Sequence, residues 1–229
     1  MPNRPIEALV CDCDGVVVDS EIVAERTLVA ALSELAPRDE VATVLRGAFG
    51  QSTSEVLDLL EQRFAITLSA SFRDELFTRI EHLIATTAAP IDGVKAAIEA
   101  IDLPTAIVSN STRASVLNSI RRAGLEQSVS GRIFTAEMVG APKPAPQVYL
   151  RAVAALGVPG ERCIAIEDSS AGVQAAVAAG VPVVGFVGAS HIPPTHAERL
   201  LALGAVAVID RMVDLPSLVC GLSRQAEKQ

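Results

Sequence analysis

Two aspartates, Asp12 and Asp14, stand two residues apart directly after the apolar run 6–11. That run is typical of a buried strand, and neither Arg nor Lys lies next to the two acids. Like charges held in one site raise each other's pKa, so a cation or a proton must relieve the pair. The spacing therefore indicates a chemical site rather than a solvated turn.

Polar residues also follow two later apolar runs, which end at residues 108 and 166. In open α/β sheets, ligands bind outside the carboxyl ends of the strands. We therefore expect both clusters to share one crevice with the two aspartates. The first cluster is Ser109, Asn110 and Ser111, and the second is Glu167, Asp168 and Ser169.

These residue types fit phosphoryl transfer. Acidic groups from two strand ends offer oxygen ligands to a small hard cation such as Mg²⁺, whereas transition metals favour clustered His or Cys. Ser109 and Asn110, at the start of a helix, offer a hydroxyl, an amide and backbone N–H groups to an anion. Lys143 lies between Pro142 and Pro144, which stiffen its loop. A metal, hydrogen-bond donors and a fixed positive charge are what a transferring phosphoryl group requires.

The elements that must position these residues alternate regularly from about residue 92 onward. Continuous apolar runs predict strands covered on both faces, at residues 6–11, 105–108, 163–166, 182–186 and 205–209. Between them, Asp92, Ser111 or Thr112, and Ser169 or Ser170 can cap helices, and Gly124, Gly157 and Gly180 can end them. The pattern predicts an α/β fold, a doubly wound parallel sheet.

Residues 20–90 interrupt this alternation, because their apolar spacing is helical throughout. A crossover connection rarely needs ~70 residues, so we interpret the segment as a separate helical bundle hinged near residues 19–21 and 89–93. Alternatively, these helices simply cover one face of the sheet. The predicted division is a core of residues 1–19 and 91–229 with a cap domain of residues 20–90.

Composition narrows the class of protein. The chain has 229 residues, of which 50% are hydrophobic but only 3% aromatic, so the core must be aliphatic. A net charge of -8 argues against nucleic acid as a partner. The four cysteines show no paired framework, which favours reduced thiols and a cytoplasmic location. No apolar run approaches the roughly 20 residues of a membrane helix, so we expect no membrane association. The expected oligomeric state is a monomer or a weak homodimer.

Four segments of the chain, in order, resemble the motifs of the haloacid dehalogenase superfamily. They are DCDGVVVDSE at residues 12–21, Ser109-Asn110, KPAP at residues 143–146 and EDSSAG at residues 167–172. The resemblance is nearest to the phosphatase and β-phosphoglucomutase-like branch, which carries a helical cap after the first motif. It implies a Rossmann-like core, an inserted four-helix cap, Mg²⁺ dependence and a phosphoaspartyl intermediate.

The resemblance implies separate tasks for the first two acids. Asp12 would be the nucleophile that attacks phosphorus and also a Mg²⁺ ligand. Asp14 would protonate the leaving oxygen and then activate water, while its backbone carbonyl binds the metal. The dehalogenase branch lacks an acid at the Asp14 position, because a halide leaving group needs no proton. Phosphate-ester chemistry is therefore preferred to hydrolysis of carbon–halogen bonds.

The other motif residues would bind phosphate and metal, according to the same resemblance. Ser109 and Asn110 would hold the phosphoryl oxygens, and Lys143 would neutralise charge on the nucleophile and the phosphate. Asp168 would complete the metal site. Glu167 would be a carboxylate either on the metal or just outside its ligand set.

A phosphosugar mutase is the main alternative. The mutase branch carries a cap histidine where this chain has Ala24, and a phosphate-binding arginine in a Gly-x-Ser-Arg stretch where this chain has RGAFGQS at residues 46–52. Both departures disfavour a mutase, which must bind a second phosphate in the cap. A phospho-receiver-like switch would lack the helical insertion, and a non-catalytic binding module should lack one of the four motifs.

The sequence thus predicts a Mg²⁺-dependent phosphoric monoester hydrolase acting on a sugar, polyol or sugar-acid monophosphate. Because the core supplies groups only for phosphate and metal, the cap should recognise the rest of the substrate. Arg46, Gln51 and Ser52 are the cap residues predicted over the site, and Glu21 is a further candidate. Surface, loop or cap roles are predicted for Glu137, His191 and His196.

Overall fold

A parallel sheet forms the centre of the protein. The computed structural model describes residues 5–47, 53–190, 192–193 and 195–226. Within them, six parallel strands lie in the order β3-β2-β1-β4-β5-β6. The strands are β1 (Ala8–Asp12), β2 (Thr105–Ser109), β3 (Ile133–Thr135), β4 (Cys163–Glu167), β5 (Val183–Phe186) and β6 (Ala207–Ile209).

Helices cover both faces of this sheet. One face packs against α5 (Val94–Ile101), α6 (Arg113–Arg122) and α12 (Leu215–Ala226), and the other against α9 (Gln147–Leu156), α10 (Ser170–Ala178) and α11 (His196–Ala202). Short helices α7 (Glu126–Val129) and α8 (Ala136–Val139) and 3₁₀ turns at Gly160–Arg162 and Met212–Asp214 complete the connections. None of the helices described is both long and apolar enough to cross a membrane.

Alternate strand residues enter two hydrophobic clusters, one on each side of the sheet. In β1, Leu9 packs into the cluster with α5 and α6, whereas Val10 packs into the cluster with α9 and α10. Every residue of β1, β2 and β4 is buried, as expected of parallel strands with both faces covered. The predicted doubly wound α/β fold is confirmed.

The structure differs from the sequence prediction mainly in its shortest elements. Strand β3 was not predicted, because three residues are too few for a periodic pattern to appear. Helix α5 begins after Gly93, whose φ of 74° places the left-handed backbone at the N-cap where Asp92 was predicted. Thr112 and Ser169 cap α6 and α10 through side chains that accept backbone N–H groups, as predicted.

In the part of the chain that the structure describes, four helices lie between β1 and α5: α1 (Glu21–Leu32), α2 (Arg38–Gly47), α3 (Thr53–Phe64) and α4 (Ala70–Thr87). We call them the inserted helices. Their buried side chains form a cluster of their own, which includes Leu32, Val41, Leu57, Leu60 and Ile80. A separate apolar cluster is what an independent bundle requires. The division of the chain at residues 20 and 90 stays a prediction.

Two neighbouring segments of the chain, at residues 18–19 and 89–90, connect the inserted helices to the sheet. Val18 and Pro90 form an antiparallel bridge, and the Asp19 N–H donates to the Ala89 carbonyl at 2.9 Å. Arg122, from α6, donates to the carbonyls of Thr86 and Ala88 at the end of α4. Because the last carbonyls of a helix have no partner within it, Arg122 supplies donors that α4 cannot provide.

We predict that Arg122→Gln loosens the last turn of α4. The glutamine loses charge-assisted hydrogen bonds to two carbonyls, so amides of residues 84–88 should exchange with solvent about tenfold faster. Hydrogen-exchange mass spectrometry measures this rate. Arg121→Gln is the matched control, because Arg121 is the preceding residue and pairs with the exposed Glu126 instead. Equal exchange in the two variants would contradict the role given to Arg122.

Candidate active site

Three adjacent strands end in polar residues at one edge of the sheet. Asp12, Ser109 and Glu167 are the last residues of β1, β2 and β4, and β1 lies between the other two strands. The order of strands reverses between β1 and β4, where open α/β sheets bind ligands. The predicted convergence of these residues therefore occurs at the switch point of the fold.

Lys143 connects two of the strand ends. Its ammonium Nζ lies 2.5 Å from Asp12 Oδ1 and 2.7 Å from Glu167 Oε1, and all three side chains are buried. Burial alone would lower the pKa of Lys143, but the charges of Asp12 and Glu167 raise it well above its ordinary value. The ammonium therefore remains charged and fixed between two carboxylates.

Asn110 holds the backbone of the Lys143 loop. The Lys143 N–H donates to Asn110 Oδ1 at 2.8 Å, and Asn110 Nδ2 donates to the Lys143 carbonyl at 3.3 Å. The Lys143–Pro144 peptide bond in this loop is cis. Both polar atoms of the Asn110 amide thus contact the Lys143 backbone, and they fix the loop that carries the ammonium.

Asp14 has a different environment from Asp12. Its Oδ2 accepts hydrogen bonds from the hydroxyls of Ser109 at 2.9 Å and Ser111 at 2.8 Å. The Ser111 N–H in turn donates to the Ser109 hydroxyl at 2.8 Å. Asp14 is only partly buried. One acid of the motif is therefore paired with an ammonium inside the protein, while the other is held by hydroxyls at the edge of the crevice.

Three carboxylates could share a cation. Asp12, Glu167 and Asp168 each place one oxygen within 4.8 Å of the others, and all three are buried. Burial first, and then neighbouring carboxylates, raise the pKa of Asp12 and of Asp168 well above the ordinary range. If all three ionise, they leave two negative charges beyond the one that Lys143 balances. Oxygen ligands with this excess charge fit Mg²⁺.

Residues 6–180 match the family model described as haloacid dehalogenase-like hydrolase. The chain belongs to this hydrolase family. The resemblance of the motifs to the haloacid dehalogenase superfamily is therefore confirmed. The match includes all four motif segments, the inserted helices and the strands β1 to β4.

Individual proteins are similar over most of their length. The 6-phosphogluconate phosphatase of Escherichia coli is 27% identical over 82% of this chain and 86% of its own. Hexitol phosphatase A of Escherichia coli is 31% identical over 76% of this chain and 79% of its own. A solved haloacid dehalogenase family hydrolase from Deinococcus radiodurans with bound phosphate and sodium superposes with a TM-score of 0.79, at 31% identity over 95% of this chain and 96% of that chain.

Two glycines of the hydrolase make room for its acids. Gly15 has a φ of +76°, and a Cβ there would overlap the Asp168 carboxylate. A Cβ on Gly172, in the first turn of α10, would overlap the Glu167 carboxylate. The motif glycines therefore permit the close approach of backbone to carboxylate that brings the acids together.

Two side chains of the site were not predicted as functional. His196 was assigned to a loop or cap role, but it is buried and its Nε2 lies 2.6 Å from the Asp168 carbonyl. Because a carbonyl only accepts, Nε2 must carry the proton. Tyr149 is fully buried in α9, and its hydroxyl donates to Glu167 at 2.6 Å. The sequence predicts a loop or cap role for His196, and helical spacing at Tyr149 indicates only core packing, so neither long-range polar contact had a signal in the sequence.

The predicted cap residues cannot all be located. Gln51, Ser52 and the side chain of Arg46 lie outside the described residues, as does His191. Glu21 begins α1 beside the site, where desolvation by surrounding protein and then repulsion by Asp14 and Asp19 raise its pKa to about 7. Glu137 is exposed and accepts the Arg113 N–H at the start of α6, the capping role predicted for it.

We predict that Gly15→Ala weakens Mg²⁺ binding about tenfold, because the new methyl group displaces the Asp168 carboxylate. Isothermal titration with Mg²⁺ measures the affinity. Gly131→Ala is the matched control, since Gly131 has a φ of +75° but open space around its Cβ position. Both variants carry left-handed strain of about 1–2 kcal/mol, so both should lose stability. Unchanged affinity in Gly15→Ala would contradict the proximity argument.

The raised pKa of Glu21 predicts that the stability of the protein depends on pH. Its pKa is about 4.5 ordinarily and about 7 in the folded protein, so only the folded state holds the proton between these values. The stability contributed by Glu21 therefore falls as the pH rises through this window. Removing the charge with Glu21→Gln should raise the melting temperature at about pH 8 and leave it unchanged near pH 4.5.

The expected rise at about pH 8 is only about 1–2 °C, because part of the Glu21 side chain still reaches solvent, which screens its charge. Differential scanning calorimetry at both pH values measures it. Glu34→Gln, just beyond the other end of α1, is the control and should show the same shift at both values. A rise of equal size at the two pH values in Glu21→Gln would show that neither desolvation nor repulsion of the ionised carboxylate is its cause.

Proposed function

We propose that the protein is a Mg²⁺-dependent phosphatase that hydrolyses a small phosphorylated sugar, polyol or sugar acid. The observation that carries this proposal is the contrast between its two motif aspartates. Asp12 is buried against the Lys143 ammonium, whereas Asp14 is partly exposed and held by two hydroxyls. Two carboxylates in different environments suit one nucleophilic and one acid–base role.

In the first step, a carboxylate oxygen of Asp12 attacks phosphorus. A bond forms between Asp12 and phosphorus, the bond from phosphorus to the ester oxygen breaks, and Asp14 gives that leaving oxygen a proton. In the second step, Asp14 takes a proton from water, which attacks the aspartyl phosphate. Inorganic phosphate leaves, and both acids return to their starting states.

The remaining motif residues bind the phosphoryl group during both steps. Lys143 offsets negative charge on Asp12 and on the phosphoryl oxygens, and its position is fixed by Glu167. The Ser109 hydroxyl and the Asn110 backbone N–H supply donors at the start of the β2–α6 connection. When substrate binds, the Ser109 hydroxyl must exchange Asp14 for a phosphoryl oxygen, which releases Asp14 to transfer its proton.

The metal ligands would be a carboxylate oxygen of Asp12, the backbone carbonyl of Asp14 and the Asp168 carboxylate. Both Glu167 oxygens already accept hydrogen bonds from Lys143, Tyr149 and Ser169, which favours a place just outside the ligand set. When bound, Mg²⁺ supplies positive charge that offsets the buried acids and the phosphoryl oxygens.

The substrate class is inferred from relatives and from composition. Two relatives carry names for hydrolysis of a phosphorylated sugar acid and of hexitol phosphates. Aromatic residues are only 3% of this chain, which leaves few rings on which a nucleotide base could stack. The inserted helices would lie over the site, exclude bulk water on closure and supply hydrogen bonds to substrate hydroxyls, the role that the sequence predicts for Arg46, Gln51 and Ser52.

A phosphosugar mutase is less consistent with the inserted helices. A mutase needs a polar group from the cap that holds the intermediate or its second phosphate. At the position of the mutase histidine, Ala24 packs against the apolar cluster of the inserted helices. Its methyl group can neither transfer a proton nor bind phosphate, so hydrolysis is favoured.

We predict that Asp12→Asn abolishes turnover, by more than about a thousandfold, while the protein stays folded. The amide is nearly isosteric but a far weaker nucleophile. Phosphate release from a panel of sugar, polyol and sugar-acid monophosphates measures turnover, with isomerisation of glucose 1-phosphate assayed alongside to detect a mutase. Asp210→Asn is the matched control, since Asp210 also lies at the carboxyl end of a strand. That strand, β6, is the outermost strand of the sheet and lies away from the site.

Activity of Asp12→Asn within tenfold of the wild type would contradict a phosphoaspartyl intermediate. Isomerisation faster than phosphate release would overturn hydrolysis as the main reaction. Circular dichroism of each variant separates loss of the nucleophile from loss of the fold.

A further inference from the structure

Tyr149 lies outside all four motifs, yet its side chain touches the centre of the site. It sits in the first turn of α9 and is fully buried. Its hydroxyl donates to Glu167 Oε1 at 2.6 Å, and its ring centroid lies 5.9 Å from Lys143 Nζ. The ring packs in the apolar cluster between the sheet and α9, and the hydroxyl is the part of the side chain that makes a polar contact.

The Tyr149 hydroxyl and the Lys143 ammonium share one oxygen. Lys143 Nζ lies 2.7 Å from the same Glu167 Oε1, while Glu167 Oε2 accepts the Ser169 hydroxyl at 3.2 Å. The ammonium also lies 2.5 Å from Asp12 Oδ1. Glu167 has no exposed surface, so these protein donors replace the water that its carboxylate would otherwise bind.

A buried carboxylate that lacks donors attracts whatever donor remains nearby. Without the Tyr149 hydroxyl, Glu167 Oε1 would have Lys143 as its remaining donor, and the ammonium would move toward Glu167. Any such movement takes positive charge from Asp12, on the other side of the ammonium. Burial and the Glu167 charge raise the pKa of Tyr149 well above its ordinary value, so the hydroxyl stays a donor.

We propose that Tyr149 is a positioning residue, which holds the Lys143 ammonium against Asp12 by sharing Glu167 Oε1 with it. This inference rests on the proposed function, in which Lys143 is the positive charge that stabilises phosphoryl transfer to and from Asp12. A purely structural role for Tyr149, as an aromatic side chain that fills the core beneath the site, is the competing explanation.

Tyr149→Phe separates the two explanations, since it keeps the ring and removes only the hydroxyl. We expect kcat and kcat/KM to fall together by about tenfold with KM nearly unchanged, because the lost interaction acts in the transition state. The control is Thr105→Val, which removes another buried hydroxyl. Thr105 begins β2 at the opposite end of the sheet and donates to the Leu103 carbonyl at 2.9 Å.

Thr105→Val should lower the melting temperature about as much as Tyr149→Phe does, without changing kcat. A Tyr149→Phe variant with kcat within about twofold of the wild type would overturn the inference. A loss of kcat that Thr105→Val shares would overturn it equally, since any buried hydroxyl would then have the same effect.

A spectroscopic measurement tests the contact without turnover. The chain has one tyrosine and no tryptophan, so its near-ultraviolet tyrosine band reports on Tyr149 alone. Lys143→Met removes the ammonium from the shared oxygen and should change this band. Lys95→Met, which removes an exposed lysine of α5 paired with Glu99, should not. If Lys143→Met does not fold, Lys143→Arg replaces it, because the guanidinium places its donors differently.

The two measurements separate failure of this inference from failure of the proposed function. A wild-type protein that releases no phosphate from any monoester contradicts the phosphatase, while the tyrosine band still shows whether Tyr149 senses Lys143. An identical band in the wild type and in the folded Lys143 variant would overturn the inference, whatever the enzyme hydrolyses.

Discussion

The site depends on one ammonium buried among carboxylates. Lys143 contacts Asp12 and Glu167, and Asp168 lies close by, so negative charge exceeds positive charge where water is excluded. Buried charges are costly unless they are paired and hydrogen-bonded. Desolvation therefore raises the pKa of Asp12 and Asp168 and makes the cluster receptive to a cation. The proposed affinity of the site for Mg²⁺ and the cost of holding its acids together would have the same physical origin.

The parallel sheet brings these charges together at one edge. Strands β2, β1 and β4 are neighbours, so their last residues meet where no strand continues. Helix α10 begins beside Asp168, and its positive dipole end favours the acids there. Gly15 and Gly172 supply the close approach that any side chain would block. The central residues of these strands are apolar and need no polar side-chain partner. The polar residues are therefore concentrated at the carboxyl ends of the strands.

Much of this arrangement could be predicted from the sequence, because its signals are local. Asp12, Ser109 and Glu167 each follow an apolar run directly, and parallel strands fix which ends meet. The contacts of Tyr149 and His196 have no comparable signal. They join residues that lie 18 and 28 positions apart in the chain, whereas the local sequence indicates core packing for Tyr149 and a loop or cap role for His196. Strand β3 escaped prediction because it is three residues long.

The contacts among the site residues also separate phosphate chemistry from substrate recognition. Asp14 is held by two serines, Lys143 by two acids, and the Asn110 amide by the Lys143 backbone. In the proposed phosphatase, groups engaged with each other in this way would lie ready for a phosphoryl group, whose shape does not change between substrates. They have little capacity left for the hydroxyls of a particular sugar or polyol. In the proposed function, selectivity would therefore come from residues outside the sheet, and the inserted helices connect to the sheet at Val18 and Pro90.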